Sequence, residues 1–134
     1  MNYVLDACAL IAYLRKEDGG DVVRDILLDS KKKCFIHALN LCEVYYDFAR
    51  VASAEIADEM TQVTIEIGIQ IIHDLDEDLW KNAGILKATI KRISLADTFA
   101  VSLAQRLNAF LVTSDHAEFN KVAKEKICKV LFIR

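Results

Sequence analysis

Five short apolar runs, NYVL, KCFIHA, GIQIIH, AFLVT and CKVLFI, recur along this chain, and longer segments with helically spaced apolar residues separate them. Runs this short that stay apolar without strict alternation suit strands covered on both faces. The segments between them are too long for hairpin turns, so successive strands must be joined by crossovers and run parallel. We therefore expect an α/β fold, a three-layer α/β/α sandwich around a mainly parallel sheet of about five strands. Helices are predicted over 7–16, 21–28, 39–52, 54–66, 77–90, 95–107 and 118–126. In the third, Leu41, Val44, Tyr45 and Phe48 share one face, while Asn40, Glu43, Asp47 and Arg50 form a polar stripe beside it.

A chain of 134 residues has the length of one ordinary domain, and no repeat, low-complexity stretch or proline marks a linker, so 1–134 is read as a single domain. Its hydrophobic share of 54% exceeds the usual value without any stretch long enough to span a membrane. With no basic leader or cleavage site, a soluble cytoplasmic protein is expected, and the apolar surplus leaves room for a subunit interface. Cys8, Cys34, Cys42 and Cys128 form no CxxC pair and are read as reduced, mostly core thiols. His37, His73 and His116 are equally dispersed. A zinc knuckle is therefore not expected. The formal charge of −3 argues against a general polyanion binder, unless a group of acids is set aside for a cation.

Acids at particular places raise that possibility. Asp6 follows the first apolar run, and Asp115 follows AFLVT with Thr113 and Ser114 between. Ligands of parallel sheets bind outside the carboxyl ends of the strands, where strand order reverses. If the fourth strand returns to the far side of the first, these two acids become neighbours and repel unless a cation lies between them. Glu43 stands near a helix start, spaced with Asn40 and Asp47 to point the same way. Asp97 sits on the narrow polar side of a mostly apolar helix. Each has a structural explanation as well. Asp6 and Asp115 can cap the helices that follow them, Glu43 can lie on a solvated face, and Ser94-Leu95-Ala96-Asp97 fits a capping box. Together the four suit Mg²⁺, with Mn²⁺ as a substitute, because these ions prefer oxygen ligands. Such a metal can activate water and neutralise charge on a phosphoryl group, as phosphodiester hydrolysis requires.

The stretches LDACALIAYL, LNLCEV, SLADTFAVSLA and LVTSDHAEF resemble, in order and over nearly the whole chain, the four acidic motifs of the PIN-domain nucleases. Within that family the chain is similar to the single-domain VapC-type toxins of toxin-antitoxin pairs, which are Mg²⁺-dependent endoribonucleases. The resemblance implies that Asp6, Glu43, Asp97 and Asp115 carry the metal and catalysis, with Thr113 and Glu118 in support; Asn40, spaced to point the same way as Glu43, is a further supporting candidate from its position on the helix. It also implies an RNA substrate cut to leave a 5′-phosphate and a 3′-hydroxyl, and an antitoxin partner. One departure stands out. Two positions after the first acid, where the family commonly has a small hydroxyl or amide residue, this chain has Cys8, a weak hydrogen bonder.

Arg15, Lys16, Lys87, Lys91 and Arg92 are the candidates for RNA phosphate contacts, against the alternative of an ordinary solvated face. Apolar residues on 54–66 point to a homodimer. Two other Mg²⁺-binding designs fit less well. A receiver domain would carry a lysine at the end of CKVLFI, and a haloacid-dehalogenase-type phosphatase would need an aspartate where Cys8 stands. A PIN-like interaction module without activity is the remaining alternative.

Overall fold

A computed structural model describes residues 1–134. The elements run β1 (Asn2–Leu5), α1 (Ala7–Leu14), α2 (Gly20–Leu28), β2 (Lys33–His37), α3 (Ala38–Val51), α4 (Ala54–Glu66), β3 (Gln70–Ile72), α5 (Glu77–Thr89), α6 (Leu95–Arg106), β4 (Phe110–Thr113), α7 (His116–Lys124) and β5 (Lys129–Phe132). The five strands form one sheet in the order β3-β2-β1-β4-β5, and every pairing is parallel. The chain winds outward from β1 through β2 to β3. The α5–α6 pair then carries it back to the opposite side of β1, where β4 begins. Between β1 and β4 the strand order reverses, with Leu5 level with Val112, so the residues that leave these two strands emerge side by side.

Alternation along the strands builds the two apolar layers. Tyr3, Leu5, Cys34, Ile36 and Val112 join Leu10, Val23, Val44 and Phe48 from α1 to α3 on one face. Val4, Phe35 and Leu111 turn to the other, against Leu86, Ala100, Leu103 and Phe119 of α5 to α7. Burial on both faces explains why the strands read as unbroken apolar runs. On the first face α1 and α2 approach closely at Gly20, where a Cβ would meet the Ala12 carbonyl oxygen at 2.6 Å.

Six of the seven helices start on a side-chain acceptor: Asp6, His37, Ser53, Asp76, Ser94 and Asp115. Each such cap contributes about 1 kcal/mol by occupying an amide that the helix cannot satisfy itself. The cap also corrects one expected boundary. α7 begins at His116 rather than at residue 118, because Asp115 accepts from the Glu118 N–H at 3.0 Å. α1 stops at Leu14 instead of 16, since Lys16 adopts a left-handed conformation with φ 55°. Two further expectations are revised by burial. Asn40 is enclosed rather than part of an open polar stripe, and of the four thiols only Cys34 is fully buried, while Cys8 and Cys42 are exposed. The exposed thiols lie on the first turn of α1 and on α3.

Candidate metal centre

The carboxyl ends of β1 and β4 are tied together by one hydroxyl. Thr113 Oγ1 lies 2.5 Å from Asp6 Oδ2 and accepts the Asp115 N–H at 3.0 Å. With that lone pair used, its own proton is directed to Asp6. The other Asp6 oxygen, Oδ1, accepts from the Ala9 N–H at 2.8 Å, and the Asp6 N–H donates to the Val112 carbonyl at 3.1 Å. Asp6 and Asp115 each cap the helix that follows while standing at the carboxyl end of a strand, where a ligand of a parallel sheet would bind. The structural and chemical readings of these acids do not compete.

Asp97 enters from α6. Ser94 Oγ accepts its N–H at 3.1 Å and so caps the helix, and the Asp97 carboxyl lies within hydrogen-bond reach of Glu118 and Ser94. Glu118, in the first turn of α7, faces both Asp97 and Glu43. Glu43 projects from the second turn of α3. Four elements following β1, β2, β3 and β4 therefore contribute five carboxylates, and Glu118 is a full member of the group.

Charge crowding shows in the titration of these groups. Burial, with the Asp115 and Glu43 charges adding to it, raises Asp6 to about 7, although the Thr113 and Ala9 hydrogen bonds pull the other way. Burial, and after it the Glu118 carboxylate, push Asp97 well above the usual carboxylate range. Glu43 is raised by burial and by Glu118. Cys8 lies among the acids; burial and the charges of Asp6, Asp115, Asp97 and Glu43 drive its thiol up to about 12.

Whether these residues suit a divalent cation can be judged from unpaired atoms. Glu43 Oε1, Glu118 Oε2 and Asn40 Oδ1 are sealed from solvent without a hydrogen-bond partner. A buried acceptor left unpaired costs about 1–3 kcal/mol, so three of them beside mutually repelling carboxylates call for a positive partner. The donor set is all oxygen and fits Mg²⁺ or Mn²⁺. No three His, Cys, Asp or Glu side chains form a closed ligand group.

Residues predicted to contact RNA divide into two sets. Arg15 is engaged, 2.8 Å from Asp47 and 4.6 Å above the Phe48 ring. Lys87 donates to the Ile93 carbonyl at 2.6 Å and holds the α5–α6 turn. Lys91 and Arg92 in that turn, and Lys16 after α1, are exposed. One residue the sequence reading passed over is His37. Its Nδ1 accepts the Leu39 N–H at 3.1 Å, so Nε2 carries the proton given to the Asp74 carbonyl at 2.9 Å, and the ring packs against Phe99. Its place directly ahead of α3 was the available signal.

Comparison with solved structures finds the same architecture. A DNA-bound VapBC from Salmonella typhimurium matches with a TM-score of 0.76 at 15% identity, covering 100% of this chain and 99% of that one. VapBC-1 from nontypeable Haemophilus influenzae matches at 0.72 and 19% identity, over 99% and 98% of the chains. Mycobacterium tuberculosis VapC20, described as a Sarcin-Ricin loop cleaving toxin, matches at 0.68 and 11% identity, over 89% and 94%. At these identities the likeness concerns the fold. No curated protein matches the sequence. Residues 3–125, which contain all five acids, match the PIN domain, and the chain belongs to the PIN domain family.

Proposed function

We propose that this chain is a divalent-metal-dependent endoribonuclease, with 1–134 acting as one nuclease domain and as the toxin of a toxin-antitoxin pair. The observation that carries the reading is the convergence of Asp6, Glu43, Asp97, Asp115 and Glu118 at the strand switch point, with orphaned oxygens on two of them. Membership of the PIN family supports it, as do the VapBC complexes and the VapC toxin of the same fold.

Bound among these acids, Mg²⁺ or Mn²⁺ supplies positive charge to a phosphodiester and makes water a better nucleophile near neutral pH. The chain's own residues prepare the place. Thr113 and the Ala9 amide hold Asp6 in one orientation, Ser94 presents Asp97, and the Asp115 cap sets Glu118 opposite Asp97. Lys91 and Arg92 are exposed shortly before Asp97, which supports reading them as contacts for substrate phosphates. No helix is long and apolar enough to cross a membrane. Exposed Tyr46 and Val51 on α3, with Ile56 and Ile65 on α4, support a homodimer and an antitoxin surface. The solved VapBC complexes of the same fold support an antitoxin partner.

The test is cleavage of a single-stranded or looped RNA by the purified chain. Cutting is expected with Mg²⁺ or Mn²⁺, none in EDTA, and a large loss in a folded Asp97→Asn variant. Equal cleavage in EDTA would overturn the mechanism. Release of a bound small protein encoded beside the gene, followed by a gain in activity, is the expected sign of an antitoxin.

A further inference from the structure

Asn40 is fully buried on the first turn of α3, three residues before Glu43 and on the same side of the helix. Its Nδ2 donates to the Ala96 carbonyl oxygen at 3.2 Å, and Ala96 immediately precedes Asp97. One amide thus bridges the helix that carries Glu43 and the helix that carries Asp97. The same bond decides which way the amide faces. Flipped, it would set oxygen against oxygen, so Oδ1 must turn away from Ala96. That atom is sealed from solvent and has no partner.

An amide oxygen can only accept. Its partner must therefore be a donor or a cation, and no protein N–H or O–H is in reach. The neighbouring orphan, Glu43 Oε1, is acceptor-only when ionised and has the same need. A water molecule can serve both, giving one hydrogen to each oxygen while its own oxygen faces a cation. A leucine of similar size would fill the position without a buried unpaired atom, so packing alone does not account for asparagine here.

We propose that Asn40 is a positioning residue for the metal: its Oδ1 holds an ordered water between α3 and α6, in the hydration shell of the divalent cation bound by Glu43 and Asp97. The inference rests on the metal reading above. Mg²⁺ retains several waters, and outer groups that orient such waters influence affinity without touching the ion. The Ala96 bond adds a second effect by keeping the two helix starts at a fixed separation.

The test compares Mn²⁺ affinity by electron paramagnetic resonance with urea unfolding in EDTA, for the wild type, Asn40→Leu and Asn40→Asp. Leucine removes donor and acceptor together. Its midpoint in EDTA should stay near that of the wild type, because the lost Ala96 bond is offset by the lost orphan, while Mn²⁺ binding weakens about 10- to 100-fold. Aspartate, protonated against Ala96, keeps both a donor and an acceptor and should restore most of the affinity. If Asn40→Leu does not fold, Asn40→Ala takes its place with the same expected loss. Wild-type affinity in the leucine or alanine variant, or aspartate as weak as leucine, would overturn the role of Asn40 and leave the metal reading intact. Failure of the wild type to bind Mn²⁺ would overturn both.

Discussion

Exchanging the Thr113 hydroxyl for a methyl, Thr113→Val, should cost stability in a way that depends on pH. Thr113 is fully buried, and its proton goes to Asp6 Oδ2 at 2.5 Å. In the metal-free protein Asp6 titrates near 7 instead of 3.8, chiefly because it is buried. The folded state then holds this proton more tightly than the unfolded chain does. The resulting stability is complete below about pH 4 and is lost as pH rises through about 7. At about 1.4 kcal/mol for each pH unit of that interval, ionising Asp6 costs the fold about 4 kcal/mol. The Thr113 hydroxyl already lowers this cost. A hydrogen bond to a charged group contributes about 1.5–3 kcal/mol and one to a neutral group about 0.5–1.5. The valine variant in EDTA should therefore lose about 1 kcal/mol more at about pH 8.5 than at about pH 5.5. The Asp115 N–H, which also loses its acceptor, weakens the variant equally at both. Urea unfolding of both proteins at the two pH values, with unchanged m-values, measures the difference. An equal cost at both, or a larger one in acid, would refute the assignment of the hydroxyl proton to a buried, ionising Asp6.

Three further outcomes follow. In EDTA the wild type should be more stable at about pH 5.5 than at about pH 8.5, since Asp6, Asp97 and Glu43 all bind protons more tightly when folded; saturating Mg²⁺ should flatten or reverse that slope, as melting curves with and without the ion would report. Asp97→Asn relieves repulsion with Glu118, so its melting temperature in EDTA should hold or rise while the stabilisation by Mg²⁺ falls sharply; a plain loss of stability with an unchanged Mg²⁺ response would leave Asp97 with only a helix-start role. Gly84→Ala, in the exposed middle of α5 with nothing near the added methyl, should stabilise by about 0.5–1 kcal/mol, whereas Gly20→Ala should destabilise by about 1–3 kcal/mol through its clash with the Ala12 carbonyl; chemical denaturation of both variants checks the pair.

The strand runs made the layered sheet legible because burial on both faces leaves an apolar signature that needs no partner to be read. Asp6 and Asp115 were legible for a related reason. Each interrupts or ends such a run, and parallel topology assigns the position a meaning. What stayed hidden depends on neighbours distant in sequence. Asn40 looked like part of an open stripe because its helical phase matches Glu43 and Asp47, yet packing against the start of α6 encloses it. Arg15 looked available for phosphate at the end of the first helix, whereas Asp47 and the Phe48 ring meet it from α3. Glu118 gained full standing only once the Asp115 cap had fixed where α7 begins.

The central claim is that acids brought together between β1 and β4 hold a divalent cation, and Mn²⁺ titration followed by electron paramagnetic resonance tests it without reference to any RNA. Wild-type protein freed of metal is compared with Asp97→Asn and with Asp47→Asn, whose carboxylate lies one turn beyond Glu43 but is paired with Arg15 and Arg50. The expected result is saturable Mn²⁺ binding that Mg²⁺ displaces, kept in Asp47→Asn and weakened at least about tenfold in Asp97→Asn. Absence of saturable binding in the wild type, or equal binding in the folded Asp97→Asn variant, would contradict it.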